Sequence, residues 1–209
     1  MNTQPPTFNA PSPSSFRLLT DAERQASLHA AMAAVPAGQD IWIFGYGSLI
    51  WRPEFNFAER RHALLYGYHR SLCLWSRVNR GTPERPGLVF ALDSGGSCRG
   101  VVFRLPAEET PDIMEALWRR EMPSGAYIPR WLNCRTEGGD ITALAFTMDR
   151  STSAYVRGLP HDQLVHIVST AHGTYGPCID YVLETADALK QHGIVDKQLF
   201  ALARSLRPS

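Results

Sequence analysis

The chain has 209 residues, enough for one domain with a sizeable core. Its 21 basic residues face 20 acidic ones, so no charge excess points to nucleic acid or an anionic membrane, and 44% apolar residues fit an ordinary globular protein. No apolar run is long enough to span a bilayer, and no signal peptide with a basic start and apolar centre is expected.

Residues 1–16 are rich in Pro, Asn, Ser and Thr and predict a flexible N-terminal tail, with residues 17–209 forming a single domain. Thr20 and Glu23 have the spacing of a capping box, so an alanine-rich helix is predicted from there to about Val35. A turn over 36–40 leads into the most informative stretch, residues 41–51, reading IWIFGYGSLIW. Its first four residues are β-branched or aromatic and predict a short buried strand. The strand breaks at Gly45-Tyr46-Gly47-Ser48. Two glycines around one aromatic either form a plain bend or let the backbone visit φ > 0 and turn N–H groups toward an anion. A dinucleotide loop is ruled out because its third glycine position is Ile50, and a P-loop because no Lys is present. A nucleophile elbow fails too, since Tyr46 and Ile50 stand where it needs glycines.

After Trp51, Pro53 stops regular structure, and alternation over 62–76 predicts a long strand. Residues 77–87 (RVNRGTPERPG) read as a solvated loop, although its arginines have the fork geometry that grips carboxylates. Two further strands are predicted over 88–92 and 100–105, joined through a Gly95-Gly96 turn. Thr110 and Pro111 predict a helix with Thr as cap. Ile113, Met114, Leu117 and Trp118 form its apolar stripe, and the next position on that stripe is Glu121. Glu115, Arg119 and Arg120 fall off the stripe and are expected in solvent. A carboxylate on an apolar stripe is either paired with a buried partner or tuned for chemistry.

Strands over 127–135 and 141–148 follow, with Gly138-Gly139-Asp140 as their hairpin turn. Helices are predicted over 163–171, 179–191 and 197–206. Strands first and helices last imply an α+β fold, built as a small mixed β-barrel with peripheral helices. Cys73, Cys98, Cys134 and Cys178 lie far apart in apolar segments and read as buried free thiols of a cytoplasmic protein. His161, His166 and His172 lack the spacing of a same-face pair, so neither a metal nor another cofactor is expected.

The run Phe44-Gly-Tyr-Gly-Ser-Leu-Ile-Trp51 resembles the Tyr-Gly-Ser-Leu motif of the γ-glutamylcyclotransferases, in the form found in their ChaC-type, glutathione-specific branch. The segment from Arg80 to Leu88 is similar to that family's Gly/Pro-rich segment. Trp118-Arg-Arg-Glu121, with Gly125-Ala-Tyr127 after it, resembles the part that carries the catalytic glutamate. Gly176-Pro-Cys-Ile-Asp-Tyr181 resembles the start of the late helix whose tyrosine borders the pocket. Five residues separate Glu121 from Tyr127 where some members have a shorter link. The resemblance runs from about residue 41 onward.

The resemblance implies a lyase that cleaves glutathione to 5-oxoproline and Cys-Gly. The substrate's own α-amine attacks its γ-carbonyl, so the enzyme supplies no nucleophile. Glu121 is implied as the catalytic base and acid, with substrate binding by Tyr46, Gly47, Ser48, Leu49, Ile50, Trp51, Tyr127, Tyr181 and Arg80. A free Glu titrates near ~4.3 and is a weak acceptor for an ammonium proton, whereas burial moves it upward. The implied partner is a small molecule, with neither nucleic acid nor membrane. Two alternatives stay open: a cyclotransferase for other γ-glutamyl dipeptides or γ-glutamylamines, and a non-catalytic module binding a small acid.

Overall fold

The computed structural model describes Ser12 and residues 15–207. The tail expected over 1–16 lies, apart from Ser12, Ser15 and Phe16, outside the described residues. Two compact units emerge: one of residues 17–72 and 90–152, the other built mainly from 73–89 and 153–207.

The first unit opens with α1 (Asp21–Met32), whose capping box forms as expected. Thr20 N–H donates to Glu23 at 2.8 Å, and Glu23 N–H returns a bond to the Thr20 hydroxyl at 3.2 Å. The helix stops three residues before Val35. Strand β1 (Ile41–Gly45) runs antiparallel to β3 (Gly87–Leu105), from Ile41 opposite Leu105 to Gly45 opposite Val101. With β2 (Glu59–Ser76), β4 (Tyr127–Thr136) and β5 (Gly139–Met148) they close a barrel in the order β1-β3-β2-β4-β5. Most pairings are antiparallel, but β1 meets β5 in parallel at Ile43 and Leu144, which makes the barrel mixed. The barrel and helices are the α+β arrangement expected. Among the described residues no helix is long and apolar enough to cross a membrane.

Two local expectations are corrected. The strands predicted over 88–92 and 100–105 are one strand, β3, with Gly95 (φ 100°) and Gly96 (φ 72°) inside it. Glycine adopts these angles without a Cβ clash, so the pair bends the strand instead of ending it. Helix α3 (Thr110–Glu121) has Glu109 at its N-cap, and Thr110 is already helical, its hydroxyl donating to the Pro106 carbonyl at 2.8 Å. Met114, Leu117 and Trp118 enter a core shared with Leu28, Ile43 and Phe146. The predicted stripe is thus the buried face of α3, and it carries Glu121 at its end.

In the second unit the loop after β2 is compact. Cβ atoms added at Gly81 and Gly87 would lie 2.1 Å from the Gly87 nitrogen and the Arg80 oxygen, so the loop closes backbone against backbone. Arg77 and Arg80 are buried, contrary to the solvated reading, and only Arg85 among the three is exposed. Arg77 instead donates to the Pro83 carbonyl at 2.9 Å. Helices α4 (His161–Thr170), α5 (Cys178–Gln191) and α6 (Lys197–Leu206) follow as expected. The turn before α5 is a small hairpin of β6 (His172–Gly173) and β7 (Gly176–Pro177).

Candidate active site

The chain leaves β1 at Gly45 and enters a single helical turn, α2 (Ser48–Trp51), with Gly47 as its N-cap. Neither glycine has left-handed backbone: Gly47 sits at φ −133°, ψ −125°, and Gly45 is absent from the positive-φ positions. The expectation of a nest built on φ > 0 is therefore corrected. Gly45 is small for a different reason, since a Cβ there would stand 2.9 Å from the Phe103 ring and 3.3 Å from Leu49 Cβ. Close approach of β1, β3 and α2 requires the glycine.

The side chains of this turn divide between core and site. Tyr46, Leu49 and Ile50 are buried, and the Tyr46 hydroxyl donates to the Phe146 carbonyl at 2.9 Å. The Ile50 N–H donates to the Gly47 carbonyl at 3.0 Å. The Tyr46 carbonyl itself accepts from the buried Arg70, which also donates to the Arg99 carbonyl at 2.6 Å. Trp51 is half-buried at the end of α2. Ser48 turns its hydroxyl to Arg120 Nη2, at 2.8 Å.

Arg120 is where the sequence reading fails most usefully. Expected in solvent, its side chain is only 14% exposed. Its Nη1 donates to Glu54 Oε2 at 2.8 Å and to the Arg52 carbonyl at 2.6 Å, and its Nε lies 3.1 Å from Glu121 Oε1. Arg119 and Glu115 do face solvent. The Glu121 side chain is 15% exposed. Burial pushes its carboxyl above the usual carboxylate range; the Arg120 charge opposes that shift and the Glu54 charge adds to it. The structure thus brings Glu121 and Ser48 onto the same arginine.

Tyr127, the first residue of β4, donates its hydroxyl to the Phe90 carbonyl at 3.0 Å, and its ring lies 6.2 Å from Phe146. Phe146 also meets Trp118 of α3 edge-on at 5.2 Å. One phenylalanine of β5 therefore ties Tyr46, Tyr127 and helix α3 together, and no local signal marked it. In the second unit, the Arg80 guanidinium lies 5.4 Å from the centre of the Tyr181 ring and donates to the Pro177 carbonyl at 3.1 Å. All four cysteines are free and buried, as expected. Burial raises the Cys178 thiol to about 11 and the Cys134 thiol to about 12, so neither is a thiolate at neutral pH.

Among known proteins, a family model described as ChaC-like protein matches residues 41–208. The glutathione-specific gamma-glutamylcyclotransferase of Escherichia coli (strain K12) is 36% identical over 192 residues, covering 91% of this chain and 83% of that protein. Glutathione-specific gamma-glutamylcyclotransferase 1 of Homo sapiens is 27% identical over 194 residues, with coverages of 90% and 81%. Among solved structures, a gamma-glutamyl cyclotransferase specific to glutathione from yeast superposes with a TM-score of 0.74 at 22% identity, over 80% of this chain and 95% of that one. That last likeness is one of fold.

Proposed function

Because the chain belongs to the ChaC-like family, we propose that it is a γ-glutamylcyclotransferase that cleaves glutathione to 5-oxoproline and Cys-Gly. The observation that carries the reading is Glu121: a carboxylate on the apolar face of α3, held by one arginine, with its proton affinity raised by burial. A carboxylate whose proton affinity is raised is a better acceptor for an ammonium proton and can return that proton to a leaving amine.

The reaction follows from what such a group does. Glu121 takes a proton from the γ-glutamyl α-ammonium. The freed amine attacks the γ-carbonyl, forming the ring C–N bond, and the peptide C–N bond to cysteine breaks. The proton held on Glu121 passes to the departing nitrogen; Glu121 then takes the second proton from the ring nitrogen, which becomes the lactam N–H, and hands it to the released amine, so one carboxylate serves every transfer. Ring closure is intramolecular, and well-oriented cases reach effective molarities of about 10⁵–10⁸ M. The protein's task is thus to fold the γ-glutamyl chain and hold its charges. We assign the α-carboxylate to the backbone of Tyr46–Leu49, and Trp51 and Tyr127 to the walls around the chain.

For the second unit, Arg80 is proposed to recognise a carboxylate of the substrate, with Tyr181 beneath its guanidinium. Arg80→Ala is expected to raise KM for glutathione about tenfold and to lower the melting temperature, because the bond to Pro177 is lost with it. Arg85→Ala, at an exposed position, is expected to leave both within error. Steady-state kinetics beside a thermal melt separates the two. The cytoplasm is the proposed compartment, supported by four free thiols and by glutathione as substrate.

Ser48 enters the reading through its hydroxyl as well as its amide. Ser48→Ala removes an acceptor from Arg120 and is expected to lower kcat about three- to tenfold, less than the full worth of a hydrogen bond to a charged group because Arg120 keeps Glu54 and the Arg52 carbonyl. Unchanged kcat would confine Ser48 to its backbone.

The test of the function is 5-oxoproline release from glutathione, γ-Glu-Ala and a γ-glutamylamine in parallel. Fastest turnover with glutathione is expected. Turnover confined to the other two would move the substrate class, and none at all would leave a binding module.

A further inference from the structure

Glu54 takes no step in this reaction, yet it is held in a costly way. Among the described residues it alone, glycines apart, has a left-handed backbone, at φ 59°. That conformation crowds Cβ and persists only where the surroundings overdetermine it. The surroundings here are two arginines. Arg52 brings Nε to 2.7 Å and Nη2 to 2.6 Å of Glu54 Oε1, and Arg120 donates from Nη1 to Glu54 Oε2 at 2.8 Å.

We propose that Glu54 is a positioning residue for the reaction: it takes one edge of Arg120, seats the guanidinium on Ser48, and leaves only Nε turned toward Glu121. The inference rests on the reading of Glu121 as the base. An arginine facing a carboxylate tends to a two-pronged pair. Such a pair would keep Glu121 ionised and reluctant to accept a proton. In this protein the Nη atoms are occupied elsewhere, by Glu54, the Arg52 carbonyl and the Ser48 hydroxyl. The base is oriented without being quenched.

The charged groups acting on Glu121 are Arg120 of its own helix and Glu54 of the loop that follows α2, with opposite effects on its proton. Removing the Glu54 charge leaves more of the Arg120 charge on Glu121. Glu121 should then lose its proton at lower pH and become a weaker base. Glu54 is partly exposed, which keeps the effect modest.

The experiment compares wild type, Glu54→Gln and Glu54→Asp by two readouts. One is the pH profile of kcat/KM for 5-oxoproline release. The other is a ¹³C-carboxyl NMR titration of Glu121, assigned by the resonance missing from Glu121→Gln. Glu54→Gln is expected to move the acid limb and the Glu121 midpoint down together by about 0.5–1 pH unit. Its kcat should fall about three- to tenfold with KM little changed. Glu54→Asp keeps the charge and should return the midpoint most of the way. A purely structural residue would change the melting temperature and leave the midpoint alone. A Glu54→Gln midpoint coincident with wild type therefore overturns the inference. Wild type that released no 5-oxoproline would strike the functional reading, while the titration would still decide the role of Glu54.

Discussion

Glu121→Gln is expected to lower kcat for 5-oxoproline release by at least about 10²–10⁴-fold, the range of general acid–base help, because one group serves every proton transfer. Gln keeps the size and one carbonyl oxygen, so Leu117 and Trp118 keep their packing. Arg120 keeps Glu54 and Ser48, so the variant is expected to fold and to bind γ-glutamyl ligands. Its stability should show a sign that sets it apart from ordinary core mutants. The Glu121 carboxyl titrates above its ordinary value of 4.5 in the folded protein. Between that value and the raised one, the folded state therefore binds more protons than the unfolded state. Stability from this site is present below the ordinary value and is lost as pH rises through the folded one. The melting temperature of wild type relative to Glu121→Gln should accordingly fall as pH is raised across that window. Thermal melts at a series of pH values beside kcat test both halves. A folded variant with near-normal kcat would remove Glu121 from the mechanism.

Gly100→Ala is expected to have the largest effect on stability of any single methyl group added to the first unit. A Cβ at Gly100 would lie 2.4 Å from the Gly45 carbonyl oxygen and 2.7 Å from the Phe44 ring. The oxygen is backbone and Phe44 is fully buried, so neither can turn aside. Overpacking typically costs 1–3 kcal/mol, and a backbone clash belongs at about 3 kcal/mol or above. For a chain of this size that is a melting temperature lower by roughly 6–12 °C. The strand that must yield is β1, directly before Tyr46 and Gly47, so kcat/KM of the folded fraction should fall as well. Gly138→Ala is the control: its Cβ would meet the end of the Arg61 side chain at 3.0 Å and, at an ordinary 3.9 Å, the Thr136 hydroxyl, and its melting temperature should stay within about 2 °C of wild type. Equal melts for the two alanine variants would mean that β1 and β3 do not need their close approach.

Both predictions concern residues whose importance was legible to different degrees. Glu121 stood out in the letters because a helical stripe has a fixed period, and a carboxylate in an apolar register is visible without coordinates. The same locality made the Thr20–Glu23 capping box, the strand before Gly45 and the three late helices readable, since each depends on neighbours within a few positions. Gly100 carried no such mark. Its need to be glycine comes from Gly45, more than fifty positions earlier, across a strand pairing.

Composition, short-range periodicity and cap chemistry therefore determined the class of fold, helix α3 and the carboxylate on its buried face. The tertiary structure decided what surrounds that carboxylate. Arg120 was assigned to solvent by its helical angle, and it is buried because the loop carrying Arg52 and Glu54 lies on that side of α3. Gly45 and Gly47 looked like sites of left-handed backbone, and one of them is instead a contact point between elements. The loop of residues 77–87 has the composition of a solvated turn, but its glycines let it close on itself and bury two arginines. In each case the deciding partner lies far away in sequence or on another element. Periodicity reports which face of an element is apolar; only the closed barrel and its loops determine which charged group is brought to that face.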